Sequence, residues 1–227
     1  MDRLLYRKAC DYDVKFYFNN PLSKISIDSD TSRICCTGFS HNAYRQMNIP
    51  CRKIVGYQTH KDNKYDSRLI SYKDNELGKD FGYVASLNNQ CYALLFSRDE
   101  LQGNSLQLFK KYLENTEQLH FERWEKFTGL VPDQCHLYHE SFILAGTLSG
   151  MIDPFYLSGI SGALISGKIS CYAVIHPKLA QEEFNWYSNN WKTKYKLWDL
   201  GQKYSRHPLA YKLIVVLNST IKSVGSV

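Results

Sequence analysis

Apolar residues recur with different periods in successive stretches of the chain. Over residues 1–11, Leu4, Leu5 and Ala9 form one apolar stripe among charged positions, which predicts a helix. Strand-like runs follow at Phe16–Phe18 and Lys24–Asp28, separated by the Asn19-Asn20-Pro21 turn, and then at Arg33-Ile-Cys-Cys-Thr-Gly38. After a polar segment ending at Ile49-Pro50 come Ile54–Gln58, Arg68–Tyr72, Phe81–Leu87 and Cys91–Ser97, joined by polar turns such as Lys61–Lys64 and Asn88–Gln90. Strands in such close succession predict an antiparallel meander. A helix is predicted next, with Leu106, Phe109, Leu113 and Leu119 on one face. The run Ser141–Ala145 has strand length, and Ile160–Ile175 has the length and composition of a buried helix that ends where His176-Pro177 interrupts the pattern. The fold class is α/β (α+β).

Between the last predicted strand and that helix lies Gly146-Thr-Leu-Ser-Gly-Met-Ile-Asp-Pro-Phe-Tyr-Leu-Ser-Gly-Ile, a loop rich in small residues, and five glycines fall between positions 146 and 167. Backbone without Cβ atoms can approach a ligand or a neighbouring element closely. The first N–H groups of a helix have no internal partners and carry the positive end of its dipole, so an anionic or electron-rich ligand edge can dock there. Two readings fit this spacing equally: a cofactor cradle, or a close helix–strand crossing for which Gly162, Ala163 and Gly167 only make room.

The order of residues in this loop resembles the second flavin-contacting motif of the FAD-dependent oxidoreductases of the hydroxylase and geranylgeranyl reductase type. Gly146, Gly150, Asp153-Pro154, Gly159-Ile160, Ala163 and Ser166-Gly167 fall on that pattern. The resemblance implies an FAD cofactor, with NAD(P)H as a possible electron donor. It also implies hydride transfer between flavin and a small apolar substrate, and a flavin held by Gly146, Thr147, Gly150, Asp153, Pro154, Gly159 and Ile160. The same family places an arginine-led helix and a strand ending in Thr-Gly ahead of its substrate domain. By that resemblance Arg3 reaches the cofactor, and Thr37-Gly38 pass near its phosphate or adenosine end. Tyr83, Tyr92 and Phe96 become the substrate-lining residues of the sheet.

The implied division is a remnant of the FAD-binding domain over 1–52, a substrate domain over 53–128, a return segment with the flavin cradle over 129–176, and C-terminal helices over 177–227. Three departures accompany it. Thr147 stands where the family has an acidic residue, and its neutral hydroxyl makes a weaker bond to a ribityl hydroxyl. Tyr83-Val-Ala-Ser replaces the Tyr-x-Trp-x-Phe-Pro signature of the prenyl-reducing members, which argues against a long isoprenoid substrate. The strand-Gly-x-Gly-x-x-Gly-helix unit that binds the FAD pyrophosphate is not in the sequence. The expectation is therefore a partial chain, one whose missing unit comes from a second chain, or a truncated, non-catalytic flavoprotein fold acting as a binding or assembly subunit. No residue stands out as a general acid or base.

Composition narrows the remaining options. The 227 residues suffice for a sizeable core without a metal or disulfide staple, and seven cysteines without a Cys-x-x-Cys pair point to a reducing, cytoplasmic setting. His136 and His139 have metal-chelating spacing, but no third ligand is evident nearby, so no metal is expected. A net charge of +6 is mildly basic. From Gln181 onward the chain mixes Phe184, Trp186, Tyr187, Trp191, Tyr195, Trp198, Tyr204 and Tyr211 with Lys192, Lys194, Lys196, Lys203 and Arg206. Three readings stay open there: aromatics packed onto the main body, peripheral membrane contact aided by apolar Leu209–Leu217, and nucleic-acid binding. The last is set aside because no recognised binding module accompanies the charge. No apolar run reaches the roughly 18 residues that would span a bilayer.

Overall fold

The computed structural model describes residues 2–12, 14–16, 32–38, 41–62, 68–72, 81–87, 89–98, 100–101, 103–155, 157–204 and 207–220. They divide into two compact units, 1–31 and 32–227. The first contributes helix α1 (Asp2–Asp11), where the apolar stripe predicts it, and Tyr6 packs on Phe16 with ring centroids 4.6 Å apart. Apart from Phe16, the strands expected at 16–18 and 24–28 lie outside the described residues.

The second unit contains two sheets. Strand β1 (Arg33–Cys35) is followed by helix α2 (His41–Gln46), within the stretch that reads as a polar segment. Strands β2 (Cys51–Asp62), β3 (Arg68–Tyr72), β4 (Phe81–Leu87) and β5 (Gln90–Arg98) match the four strand-like runs. Helix α3 (Ser105–Glu117) buries Phe109 and Leu113, and Leu119 is buried just past its end. Strand β6 (Glu125–Pro132) completes a five-stranded antiparallel sheet in the order β3-β4-β5-β2-β6. The simple meander is thus corrected: β3, β4 and β5 follow one another, but β2 crosses back to lie between β5 and β6. One face of this sheet, with Val84, Cys91, Ala93 and Leu95, packs on α3; the other, with Phe81 and Phe96, packs on the rest of the unit.

The second sheet has three strands. β7 (Tyr138–His139) and β8 (Phe142–Leu144) form an antiparallel pair, and β8 pairs in parallel with β1 in the register Arg33↔Phe142, Cys35↔Leu144. A 3-10 turn (Gly146–Ser149) and a buried loop lead into α4 (Ile160–Ile175). The helix is not uniformly buried, as its composition suggests. Gly162, Ser166, Ile169, Ser170 and Ala173 face inward, while Ile160, Leu164 and Ile175 face solvent. Small residues occupy the inner side because that side must lie close against the loop before it.

Helix α5 (Pro177–Lys203) covers this core with a face of Ala180, Phe184, Ser188, Trp191, Tyr195 and Trp198. The spacing is that of one stripe on a 3.6-residue helix, so Phe184, Trp191, Tyr195 and Trp198 are packing residues. Helix α6 (Pro208–Thr220) packs on α5. Among the described residues no helix is long and apolar enough to cross a membrane.

Candidate functional site

Parallel pairing of β1 with β8 brings two stretches that are far apart in sequence to one edge. Beyond the last register pair the Ala145 N–H donates to the Cys35 carbonyl at 2.9 Å, so Thr37-Gly38 and Gly146-Thr147 leave the carboxyl ends of neighbouring strands side by side. Open α/β sheets bind their ligands outside that edge. Gly38 and Gly146 both take positive φ, 65° and 64°, and a Cβ on either would meet open space.

The loop that follows is fixed from below. Gly150 sits at φ 75°, its carbonyl accepts from the Cys135 thiol at 3.2 Å, and a Cβ there would lie 2.1 Å from the Gln134 carbonyl oxygen. Burial pushes the Cys135 thiol up to about 12, so it remains protonated and unreactive at neutral pH. Asp153 points inward: one oxygen accepts the Phe155 N–H at 2.8 Å and the other pairs with Lys194 Nζ at 2.5 Å, with only 10% and 8% of the two side chains exposed. Buried Arg98 lies beside the same turn. Its Nη2 donates to the Pro154 carbonyl at 3.5 Å, the long limit for such a bond, and the guanidinium sits over Trp198 (4.7 Å) and Tyr195 (5.7 Å). Two buried cations therefore hold the Asp153-Pro154 turn from beneath.

Above that turn the chain enters α4 without a side-chain cap, Gly159 being the N-cap residue. Ser166 Oγ accepts the Gly146 N–H at 2.9 Å and donates to the Gly162 carbonyl at 2.6 Å, tying the 3-10 turn to the helix. Leu157 adopts a left-handed backbone, φ 51°, which costs a leucine steric strain. Leu157, Ser158, Gly159 and Ile160 form one wall of an apolar cavity of about 460 Å³ whose other wall is Leu69, Phe81 and Tyr83 of the large sheet. Desolvation raises the Tyr83 phenol, which stays protonated as a hydrogen-bond donor.

The residues singled out in the sequence are thus distributed as follows. Gly159, Ile160 and Tyr83 meet at this cavity; Thr37, Gly38, Gly146 and Thr147 meet at the strand edge; Gly150, Asp153 and Pro154 form the buried support between them. Phe96 is core, packed on Phe81 at 5.4 Å and directly opposite it in the register. Tyr92 is on the sheet's exposed rim, stacked on His60 at 5.9 Å. Neither lines the cavity. Arg3 is exposed on α1 in the first compact unit. Lys194, Arg98, Leu157 and Leu69 were not singled out; for Lys194 a signal exists, a lysine at the helical spacing of Trp191 and Trp198 on an otherwise apolar face. A second cavity, about 470 Å³, opens between β2, β6 and the start of α3, lined by Lys53, Tyr57, Glu100 and Lys126 among others, and holds none of these residues. Among the described residues no three potential metal ligands come together, and the His139 ring is engaged with the Met47 carbonyl.

No family model matches the sequence, and no curated protein matches it. Solved structures do match the fold. A geranylgeranyl bacteriochlorophyll reductase-like protein from Thermoplasma acidophilum is similar over 86% of this chain and 56% of its own, with 15% identity and a TM-score of 0.55. A triple mutant of the flavin-dependent brominase Bmp2 is similar over 84% of this chain and 58% of its own, with 10% identity and a TM-score of 0.54. The fold is similar to that of FAD-binding, Rossmann-type proteins. The chain spans a little over half the length of these two structures.

Proposed function

We propose that this chain forms the substrate wall and the flavin-facing loop of an FAD-dependent oxidoreductase acting on a small apolar substrate, with NAD(P)H as electron donor. The observation that carries the reading is the cavity in which Tyr83 of the antiparallel sheet faces Gly159 and Ile160 at the start of α4. Those residues fit a flavin ring edge: the helix N-terminus has no side-chain cap, glycine sits at its entry, and the cavity lining is largely apolar. Gly146, Thr147, Thr37 and Gly38 offer backbone and two hydroxyls along the strand edge toward the rest of the cofactor. When bound, the flavin supplies the hydride chemistry, and the protein supplies position and electrostatics.

This chain's own residues would then act as follows. The amides at the start of α4 favour negative charge beside them. Leu69, Phe81, Leu157 and Ile160 give the substrate an apolar wall. The Tyr83 phenol, kept protonated by burial, offers a single donor with which to orient a polar atom on an otherwise apolar molecule.

The test is direct. Purified chain is mixed with FAD and desalted, and retained flavin absorbance and the thermal midpoint are measured. Stoichiometric retention is expected, with a stabilisation of about 2.7 kcal/mol at a hundredfold excess of free FAD over Kd. Ile160→Glu, which puts a carboxylate at the mouth of the cavity, is expected to lose both. If wild-type chain retains no flavin and its midpoint does not move, the enzyme reading of this chain alone fails. That outcome favours the second reading, a non-catalytic binding or assembly subunit.

A further inference from the structure

We infer that helix α6 is a docking surface for an anionic lipid bilayer. Leu209, Leu213, Val216 and Leu217 recur at the i, i+4, i+7, i+8 spacing of one helical stripe, and all four are solvent-exposed, Leu209 at 85% and Leu213 at 60%. A neighbouring side of the helix is anchored: Ile214 is buried and packs with Trp198 of α5 and with Phe155. The exposed stripe is therefore held outward by the fold. Large apolar side chains grouped on a surface mark an interaction site.

Charge identifies the partner. From Leu200 to Val227 the chain contains Lys203, Arg206, Lys212 and Lys222 and no aspartate or glutamate. Lys212 is exposed and sits one residue from Leu213, at the margin of the stripe. An apolar stripe bordered by lysine in an acid-free segment matches the interface of a bilayer with anionic headgroups, where leucines enter the acyl boundary and lysine stems reach back to the phosphates. A second copy of this chain matches it poorly. A two-fold contact through α6 would set two acid-free, basic segments against each other. The helix has 13 residues, too few to span, so it lies in the plane of the surface. This inference does not depend on the flavin reading.

Co-sedimentation with two kinds of vesicle tests it, phosphatidylcholine alone and phosphatidylcholine with phosphatidylglycerol. Wild-type protein is expected to pellet with the anionic vesicles, far less with the neutral ones, and to be partly released by high salt. Leu209→Glu and Leu213→Glu are each expected to weaken partitioning about tenfold or more, since each exchanges a buried apolar group for a charge. Lys212→Glu should weaken binding to the anionic vesicles only. All three positions are exposed, so circular dichroism and the thermal midpoint should stay at wild-type values. The inference is overturned if wild-type protein stays in the supernatant with both vesicles, or if Leu213→Glu binds as wild type does. It is equally overturned if light scattering shows a wild-type dimer that Leu213→Glu makes monomeric while no vesicle binding occurs.

Discussion

Lys194→Met is expected to lower the thermal midpoint of the chain by roughly 6–20 °C, from a loss of about 3–5 kcal/mol at about 2–4 °C per kcal/mol for a domain of this size. The reason lies in what the substitution leaves behind. Asp153 lies in a buried loop, and Lys194 Nζ pairs with its carboxylate at 2.5 Å. Removing one partner of a buried pair strands the other charge in a low-dielectric setting, and that penalty exceeds the net worth of the pair. Arg98, which donates to the Pro154 carbonyl of the same turn at 3.5 Å, is left in place. The double variant Asp153→Asn/Lys194→Met removes both charges and keeps an oxygen for the Phe155 N–H, so it should recover most of the loss. Thermal and urea unfolding of the three proteins decide the matter. A single variant that unfolds with wild type would mean that Asp153 is solvated and the turn is not held from below.

The same pair shows how far the sequence carries. Asp153-Pro154 was legible as part of a flavin-family pattern, because the order of small residues, proline and glycines along one loop is local information. Its partner was not, since Lys194 is 41 positions away on a later helix. The antiparallel strands β2 to β5 were legible from alternation and turn residues. β6 was not: Glu125-Lys126 open it and Gly129 interrupts it, so only pairing with β2 over Cys51–Gln58 makes it a strand. The β3-β4-β5-β2-β6 order was hidden for a related reason, since short turns say which strands are consecutive but not which long strand returns between two others.

Site residues divide along the same line. Thr37-Gly38 and Gly146-Thr147 each looked like a strand end, and the parallel register that sets them side by side is visible only in the fold. Phe96 and Tyr92 belong to one strand and one face, yet one is core and the other rim, because cover by the cradle side of the unit stops between them. Alternation assigns faces, not what lies above them.

Gly162→Ala and Gly167→Ala are expected to move stability in opposite directions, although both replace a glycine in the same helix. A methyl at position 162 would sit 1.6 Å from the Met151 carbonyl oxygen and 2.6 Å from its carbon. That obstacle is backbone and no rotamer change relieves it, so α4 must lift off the loop, at a cost of about 3 kcal/mol or more. Gly167 has nothing within 4 Å of a Cβ and an ordinary helical φ, so alanine there gains about 0.5–1 kcal/mol from reduced backbone entropy in the unfolded chain. The contrast separates the two readings of the small-residue stripe. Gly162 is required by a close helix–loop approach whether or not a cofactor is bound, and its effect should appear in urea unfolding without any ligand. Gly167, by the same measure, has no packing role. Should Gly162→Ala unfold with wild type, α4 does not rest on Met151, and the position of Gly159 and Ile160 at the cavity mouth loses its support.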